Sequence, residues 1–302
     1  MNLWQLHIFC KVIELKSFSK TGEVIHLSQP TISTHIKDLE SYFGCQLIDR
    51  MGKQALPTKA GELLYGYARR LLLLSEETKS AIAAFKGKLT GRLAIGGSTI
   101  PGGYLLPKVI GEFTKQYKDV SVSISISDTK KIVEDTQKGL IEFGIVGGKS
   151  FVKGIVQEKL MEDDMRLIVP ADHKWALKKT VTISMLQKEP FLIREQGSGT
   201  LSSLKNSLAK IHIDLQSFNI IAEMGSTTAV IQGIKNRIGV SILSPIAIQE
   251  ELQAGSLVAL MVEGLDLKRS FYLIRHGQRT ASPIGHTFIR FLHETVASSI
   301  NA

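Results

Sequence analysis

Cysteine is scarce in this 302-residue sequence, and its eight histidines do not cluster. Cys10 and Cys45 lack the paired spacing of a zinc site or a redox motif. Cys10 falls on an apolar helical face that shields it from oxidants, so packing is its expected role. No apolar run reaches membrane-spanning length, and no charged segment followed by an apolar core opens the chain. The expected compartment is the cytoplasm, with no membrane partner. Signs of catalysis are missing too. The histidines show no metal-ligand spacing, and Glu162-Asp163-Asp164 reads as a solvated turn rather than a metal cage or an acid/base pair. The glycine pairs at 96–97 and 102–103 lack the Lys-Ser/Thr ending of a phosphate-binding loop and do not fit a dinucleotide fingerprint. The expectation is a protein without catalytic residues, metal or cofactor.

Charge is present but evenly spread. The net +9 suits a polyanion, yet residues 1–60 carry seven Lys/Arg against five Asp/Glu, a balance of only +2. Any polyanion would have to be gripped by placed side chains. An apolar content of 43% over this length allows more than one packed core.

Within residues 18–43, two short amphipathic segments flank a tight break, the pattern of a helix-turn-helix. Ser28 is suited to cap the second segment, and Pro30 falls in its first turn, where a missing N–H costs nothing. Ile32, Ile36, Leu39 and Phe43 form an apolar stripe, leaving Pro30, Ser33, Thr34 and Lys37 on the opposite face. That face is short, polar and weakly cationic, as a helix entering a DNA major groove requires. An isolated helix of this kind would more simply be a surface helix. The surroundings favour DNA: an earlier helix carries Leu6, Phe9, Cys10 and Ile13, and a two-stranded wing can form from residues 46–50 and 54–58 about a turn at 51–53. Base-edge contacts are expected from Gln29, Pro30, Ser33 and Thr34. Phosphate contacts are expected from Lys37 and Lys53, and Arg50 is expected to reach phosphate or the minor groove.

Met1-Asn2-Leu3, Phe18-Ser19, Leu27-Ser28-Gln29-Pro30, Ser33, Leu39-Glu40, Gly44, Leu47, Arg50, Thr58 and Ala60-Gly61 together resemble the N-terminal signature of LysR-type transcriptional regulators. Two positions depart from it. Thr21-Gly22 stands where the family has two alanines, and glycine inside a helix is expected to loosen packing. Thr34 replaces a frequent arginine, so base preference is not carried over from relatives. The resemblance implies a multidomain α+β and α/β protein: an N-terminal winged helix-turn-helix, a long linker helix, and a two-lobed effector domain built like periplasmic binding proteins.

From Thr58, the residues Ala60, Leu64, Tyr67, Leu71, Leu74, Thr78, Ala81 and Phe85 recur in steps of four and three. Such a seam buries itself on a partner helix, most simply the same helix of a second subunit. Packing on its own domain is the plainer alternative. Leu64, Tyr67, Leu71, Leu74 and Phe85 are the expected dimerisation residues, and two subunits would read two half-sites of a pseudo-palindromic operator. Residues 86–91 hold two glycines and read as a hinge. The expected domains are therefore 1–58, 59–90 and 91–302.

Beyond residue 91, strands at 93–95, 120–127 and 143–146 alternate with helices at 105–117 and 130–138, a βαβ series with a mostly parallel sheet. A second series has strands at 167–169, 191–193, 219–222 and 240–243 and helices at 200–210 and 227–236. A last strand at 271–275 and a helix at 282–298 return to the first lobe. Lobe I thus spans about 91–161 and 267–302, and lobe II about 162–266.

Ligands of open α/β sheets gather beyond the strands' carboxyl ends. Gly96-Gly97-Ser98-Thr99, Asp128-Thr129 and Gly197-Ser198-Gly199-Thr200 lie at such places. Ser98, Thr99, Thr129, Ser198, Gly199 and Thr200 are the expected contacts for a small anionic or polar effector. For any one of them, helix capping alone is an equal reading. Gly225-Ser226 ranks below them, and Arg194 beside Glu195 reads either as balance for an anion or as a solvated surface pair. The reading is thus a DNA-binding homodimer or dimer of dimers, with RNA polymerase as a partner should it activate. Its rivals are a regulator whose cleft is vestigial and controlled by protein partners, a solute-binding protein, and an enzyme.

Overall fold

The computed structural model describes residues 1–51, 54–85 and 88–300, with the backbone alone at 50, 51, 84, 85, 299 and 300. Contacts divide it into two units, Met1–Gly91 with Lys138–Leu140, and Arg92–Gln137 with Ile141–Ala302.

In the first unit, short polar side chains set the helix limits. α1 (Leu3–Leu15) opens on a capping box in which the Gln5 amide donates to the Asn2 side chain and Gln5 accepts from the Asn2 amide. α2 (Phe18–Ile25) opens on Ser17 and stops at His26, which takes left-handed dihedrals. α3 (Gln29–Phe43) opens on Ser28, whose Oγ accepts from the Thr31 amide at 3.3 Å, and closes at Gly44 with φ 68°. α1 buries Ile8 and Val12 besides Leu6, Phe9 and Cys10, because α2, α3 and α4 (Lys59–Phe85) all pack against it. Ile32, Ile36 and Leu39 face it from α3. Phe43, expected on the same stripe, is 41% exposed: α3 outruns the core there, and the ring meets Tyr42 edge-on.

The Thr21-Gly22 pair tightens packing rather than loosening it. Thr21 is buried and its hydroxyl donates to the Ser17 carbonyl at 2.7 Å. A Cβ on Gly22 would lie 2.5 Å from the Leu27 carbonyl oxygen, so glycine is what lets the turn close on α2. The wing pairs β1 (Ile48–Met51) antiparallel with β2 (Gln54–Pro57), Ile48 opposite Pro57. Residues 52 and 53 of its expected turn, and residues 86 and 87 of the expected hinge, lie outside the described residues. Glu40 Oε1 accepts from the Leu47 and Ile48 amides at 2.9 and 3.2 Å, fixing the start of the wing to α3. Thr58 Oγ1 donates to the Gln46 carbonyl at 2.8 Å and accepts from the Gly61 amide at 3.0 Å, which caps α4.

The second unit has two lobes. Its first contains β3 (Gly91–Ser98), a π-helical turn at Pro101–Leu105, α5 (Leu106–Gln116), β4 (Val120–Ser127), α6 (Thr129–Lys138), β5 (Phe143–Val146) and β6 (Ile155–Asp164). The second lobe contains β7 (Arg166–Pro170), β8 (Thr180–Val181), α7 (Ile183–Leu186), β9 (Phe191–Arg194), α8 (Gly199–Ala209), β10 (Ile220–Met224), α9 (Thr227–Lys235), β11 (Ser241–Leu243), α10 (Gln249–Gln253) and β12 (Leu257–Val262). The chain then returns to the first lobe through β13 (Lys268–His276) and α11 (Pro283–Ile300).

The first sheet runs β4-β3-β5-β13-β6, and the second lobe has β11-β7-β12-β8 and the pair β10-β9. A mostly parallel sheet was the expectation, and the sheets are mixed. β3 pairs parallel with β5, and β9 with β10, but β13 is antiparallel to β5 and β6, and β7 is antiparallel to β11 and β12. The physical reason is the double crossing between lobes: the chain leaves the first lobe through β6 and β7 and returns through β12 and β13, so the outgoing and returning strands lie side by side in opposite directions. Phe113, Phe143 and Phe288 fill the first lobe, with Phe288 4.8 Å from Phe113 and 5.9 Å from Phe143 by ring centroid. Trp175, Leu186, Phe191, Leu208 and Phe218 fill the second. No helix among the described residues is long and apolar enough to cross a membrane.

Candidate functional site

On α3, burying Ile32, Ile36 and Leu39 leaves Gln29, Pro30, Thr34 and Lys37 exposed and Ser33 half-buried on the far side. The ridge is pre-bonded within itself. Gln29 Nε2 donates to Ser33 Oγ at 3.0 Å, Thr34 Oγ1 donates to the Pro30 carbonyl at 3.0 Å, and Ser28 and Thr31 share a hydroxyl bond at 2.7 Å. Gln29 therefore keeps its carbonyl oxygen and one N–H for an outside partner, the pair that matches an adenine edge. Asp38, also exposed here, adds an acidic group beside Lys37. Lys53 and the side chain of Arg50 lie outside the described residues.

On α4, Tyr67, Leu71 and Leu74 are exposed, as are Leu63 and Ile82. Leu64, expected beside them, packs with Ala60, Tyr65 and Leu72 against the winged domain's own core, where Ala68 is fully buried. Spacings of four claim positions 60, 64, 68 and 72 for that core, which leaves Leu63 on the outer row. The side chain of Phe85 lies outside the described residues. Burial, with the Glu14 charge adding to it, pushes the Cys10 thiol up to about 12, so Cys10 is an inert packing group, while Cys45 is exposed and free.

In the second unit, Ser98, Thr99, Thr129, Ser198, Gly199 and Thr200 line one cavity together with Gly147, Arg194 and Arg269. Ser98 Oγ accepts from the Gly147 amide at 3.1 Å. Asp128 Oδ1 caps α6 by accepting from the Lys131 amide at 2.9 Å, which leaves Thr129 free of that task. Ser198 opens α8 without a side-chain cap bond. Gly199 makes room for the meeting of the lobes, since a Cβ there would lie 2.9 Å from Thr129 Oγ1. The cavity measures about 10 Å³, the space of one water molecule. Ser226 caps α9 through the Ala229 amide at 3.1 Å and does not line it.

Two buried arginines dominate its electrostatics: Arg194, for which the sequence left anion balance and a surface pair both open, and Arg269, which the sequence did not single out. Arg194 is no surface pair: its side chain is 2% exposed. Its Nε and Nη2 donate to the two oxygens of Glu195 at 2.7 and 2.6 Å, Nη1 donates to Thr227 Oγ1, and Nη2 also reaches Thr99 Oγ1 of the first lobe at 3.2 Å. Asp163 is no solvated turn either. It lies within β6, buried, opposite Arg269 of β13. Arg269 Nε donates to Asp163 Oδ2 at 2.7 Å and Nη1 to Thr200 Oγ1 at 3.1 Å, while Ser244 Oγ donates to Asp163 Oδ1 at 2.7 Å. Burial holds the Arg269 guanidinium below its ordinary value; Asp163 opposes this and the positive Arg194 adds to it. Arg269 Nη2 and Thr129 Oγ1 are buried and have no hydrogen-bond partner among the described residues. No group of side chains among the described residues is arranged to hold a metal ion.

Residues 3–62 match the bacterial regulatory helix-turn-helix protein, lysR family, and residues 86–297 match the LysR substrate binding domain. The "Probable RuBisCO transcriptional regulator" of Trichormus variabilis is 31% identical over 292 residues, which cover 95% of this chain and 86% of that one. The regulatory domain of CcmR from Synechocystis, solved in complex with 2-PG, is 26% identical and covers 68% of this chain and 97% of its own, with a TM-score of 0.63. Full-length CbnR, solved with its target DNA, shares the fold at a TM-score of 0.73 and 20% identity, covering 98% of this chain and 100% of its own. With both domains present in tandem over nearly its whole length, the chain belongs to the LysR family of DNA-binding transcriptional regulators and is not an enzyme.

Proposed function

We propose that this regulator acts as a homo-oligomer in which a small anionic or polar metabolite, held between the two lobes, biases how the subunits present α3 to an operator. One observation carries the ligand reading: Arg269 Nη2 and Thr129 Oγ1 are buried, have no hydrogen-bond partner among the described residues, and belong to residues that line the same cavity. A buried polar group left unmet costs about 1–3 kcal/mol, and more when charged, so an oxyanion entering the cleft recovers energy already lost. The small cavity alone would equally suit a vestigial cleft controlled by protein partners. The unmet Arg269 Nη2 favours a ligand, because a cleft that had lost one gains by pairing its own polar groups. The 2-PG complex of the CcmR regulatory domain, 26% identical, supports a small ligand in this domain. Admission requires the lobes to part, and the ligand must bind the two arrangements unequally to change DNA contacts.

On the DNA side, Gln29, Pro30, Ser33 and Thr34 take base edges, Lys37 and Lys53 take phosphate, and Arg50 takes phosphate or the minor groove. Tyr67, Leu71 and Leu74, with Leu63 in place of Leu64, form the seam of a dimer, which a dimer of dimers would extend. RNA polymerase joins the partners if the protein activates. The test is footprinting of the full chain on its own upstream DNA across a panel of small carboxylates and phosphates, with Arg269→Lys in parallel. A ligand that alters the wild-type footprint and not that of the variant is expected. If no small anion alters the footprint and mass spectrometry finds none retained after gentle purification, the ligand reading fails and control by protein partners takes its place.

A further inference from the structure

We propose that Glu195 is a tethered counter-ion of the cleft, whose carboxylate occupies the anion-binding edge of Arg194 until a ligand's own oxyanion displaces it. The idea rests on the ligand reading above and assigns how that site is held in the absence of its occupant. Glu195 takes Arg194 by both Nε and Nη2, at 2.7 and 2.6 Å, the two-point geometry by which a guanidinium grips a free carboxylate or phosphate. The two partners differ in freedom. Arg194 is 2% exposed and anchored through Nη1 to Thr227, whereas the Glu195 side chain is 24% exposed and can turn into solvent. The second ion pair of the cavity has no such outlet, since Asp163 and Arg269 are 1% and 5% exposed at the side chain.

Charge balance points the same way. Arg194, Arg269, Glu195 and Asp163 sum to zero as they stand, and with Glu195 swung out one anionic group restores neutrality. The class of ligand is therefore an oxyanion presenting two coplanar oxygens, a carboxylate or a phosphate. The displaced edge is also the one that touches the first lobe, because Arg194 Nη2 is shared between Glu195 and Thr99. Exchange of the carboxylate is thus felt directly in a hydrogen bond between lobes.

The test is calorimetric titration of the full chain with inorganic phosphate and with acetate, in wild type, Glu195→Gln and Arg269→Lys. Removing the tethered charge should tighten at least one of the two anions by about tenfold or more, as loss of a competing charge a few ångströms away predicts, while Arg269→Lys weakens binding. Equal affinity in wild type and Glu195→Gln, with weaker binding in Arg269→Lys, overturns the counter-ion and leaves the ligand site standing. Binding indifferent to both substitutions, or no binding of either anion, overturns both. Should Glu195→Gln melt below wild type, Glu195→Asp supplies the same comparison: its shortened carboxylate cannot keep both bonds, so tighter binding is again expected and unchanged binding is again fatal.

Discussion

Asp163 and Arg269 stand directly opposite each other on adjacent antiparallel strands, and their side chains meet at 2.7 Å in a fully buried ion pair. The pair lies where the chain passes between lobes, two residues before the Met165 amide donates to the Leu267 carbonyl at 3.3 Å. Removing one member of such a pair leaves an uncompensated buried charge. Asp163→Ala is expected to cost about 3–5 kcal/mol in urea unfolding of the full chain, and Ser244→Ala about 1 kcal/mol. A loss under about 1 kcal/mol for Asp163→Ala would show that the two strands do not depend on the pair.

On DNA, Gln29→Ala and Lys37→Ala should fail in different ways. The first removes an amide held by Ser33 for base reading, and should cost about 1–3 kcal/mol on the operator with relaxed preference at one position. The second should weaken all sequences alike and flatten the salt slope by roughly one unit. Fluorescence anisotropy on operator and scrambled duplexes over a salt series separates them, and an unchanged slope for Lys37→Ala would strike it from the phosphate contacts.

The outer and inner rows of α4 should also part company. Leu71→Lys with Leu74→Lys is expected to shift the protein toward monomer in sedimentation while leaving the winged domain's melting intact. Leu64→Ala is expected to do the reverse, lowering stability by about 1–2 kcal/mol, the lower end for a partly buried leucine, with assembly unchanged. Identical behaviour of the two variants would dissolve the distinction between rows.

In the second lobe, burial pushes the Glu189 carboxyl up, but hydrogen bonds from Lys174 and His173 outweigh it and hold the group below its ordinary value. A depressed folded value contributes stability above the unfolded carboxylate's pKa of about 4.3, and that contribution fades as pH falls through the lower folded value. The thermal midpoint of Glu189→Gln should therefore fall less steeply than wild type between about pH 5 and pH 3. Parallel curves would mean that the contacts of Glu189 do not bear on folding.

Local chemistry made much of this structure legible. Ser28, Pro30 and Gly44 mark the limits of α3, and the hydroxyl-bearing loops at 98–99, 129 and 198–200 announce a cleft because helix starts and strand ends have few alternatives. The ion pair at its centre is masked in the sequence by two local patterns. The apolar run that marks the strand begins only at Phe271, although the two-residue period of the inward Phe271 and Leu273 extends back to Arg269. Three acids in succession at 162–164 suggested water, although alternation along β6 turns only the middle one inward. Leu64 shows a different limit: spacing alone does not say which side of a long helix its own domain claims.

Two side chains have a mechanical consequence. Glu40 ties the last turns of α3 to the wing, and Thr58 clamps the wing's entry to the first turn of α4. Among the described residues, reader, wing and the root of the shaft are thus stapled together by these four hydrogen bonds. A torque arriving along the shaft passes through those bonds to the wing and α3, so it re-aims the reader together with its mount, as a wrench turns its jaw.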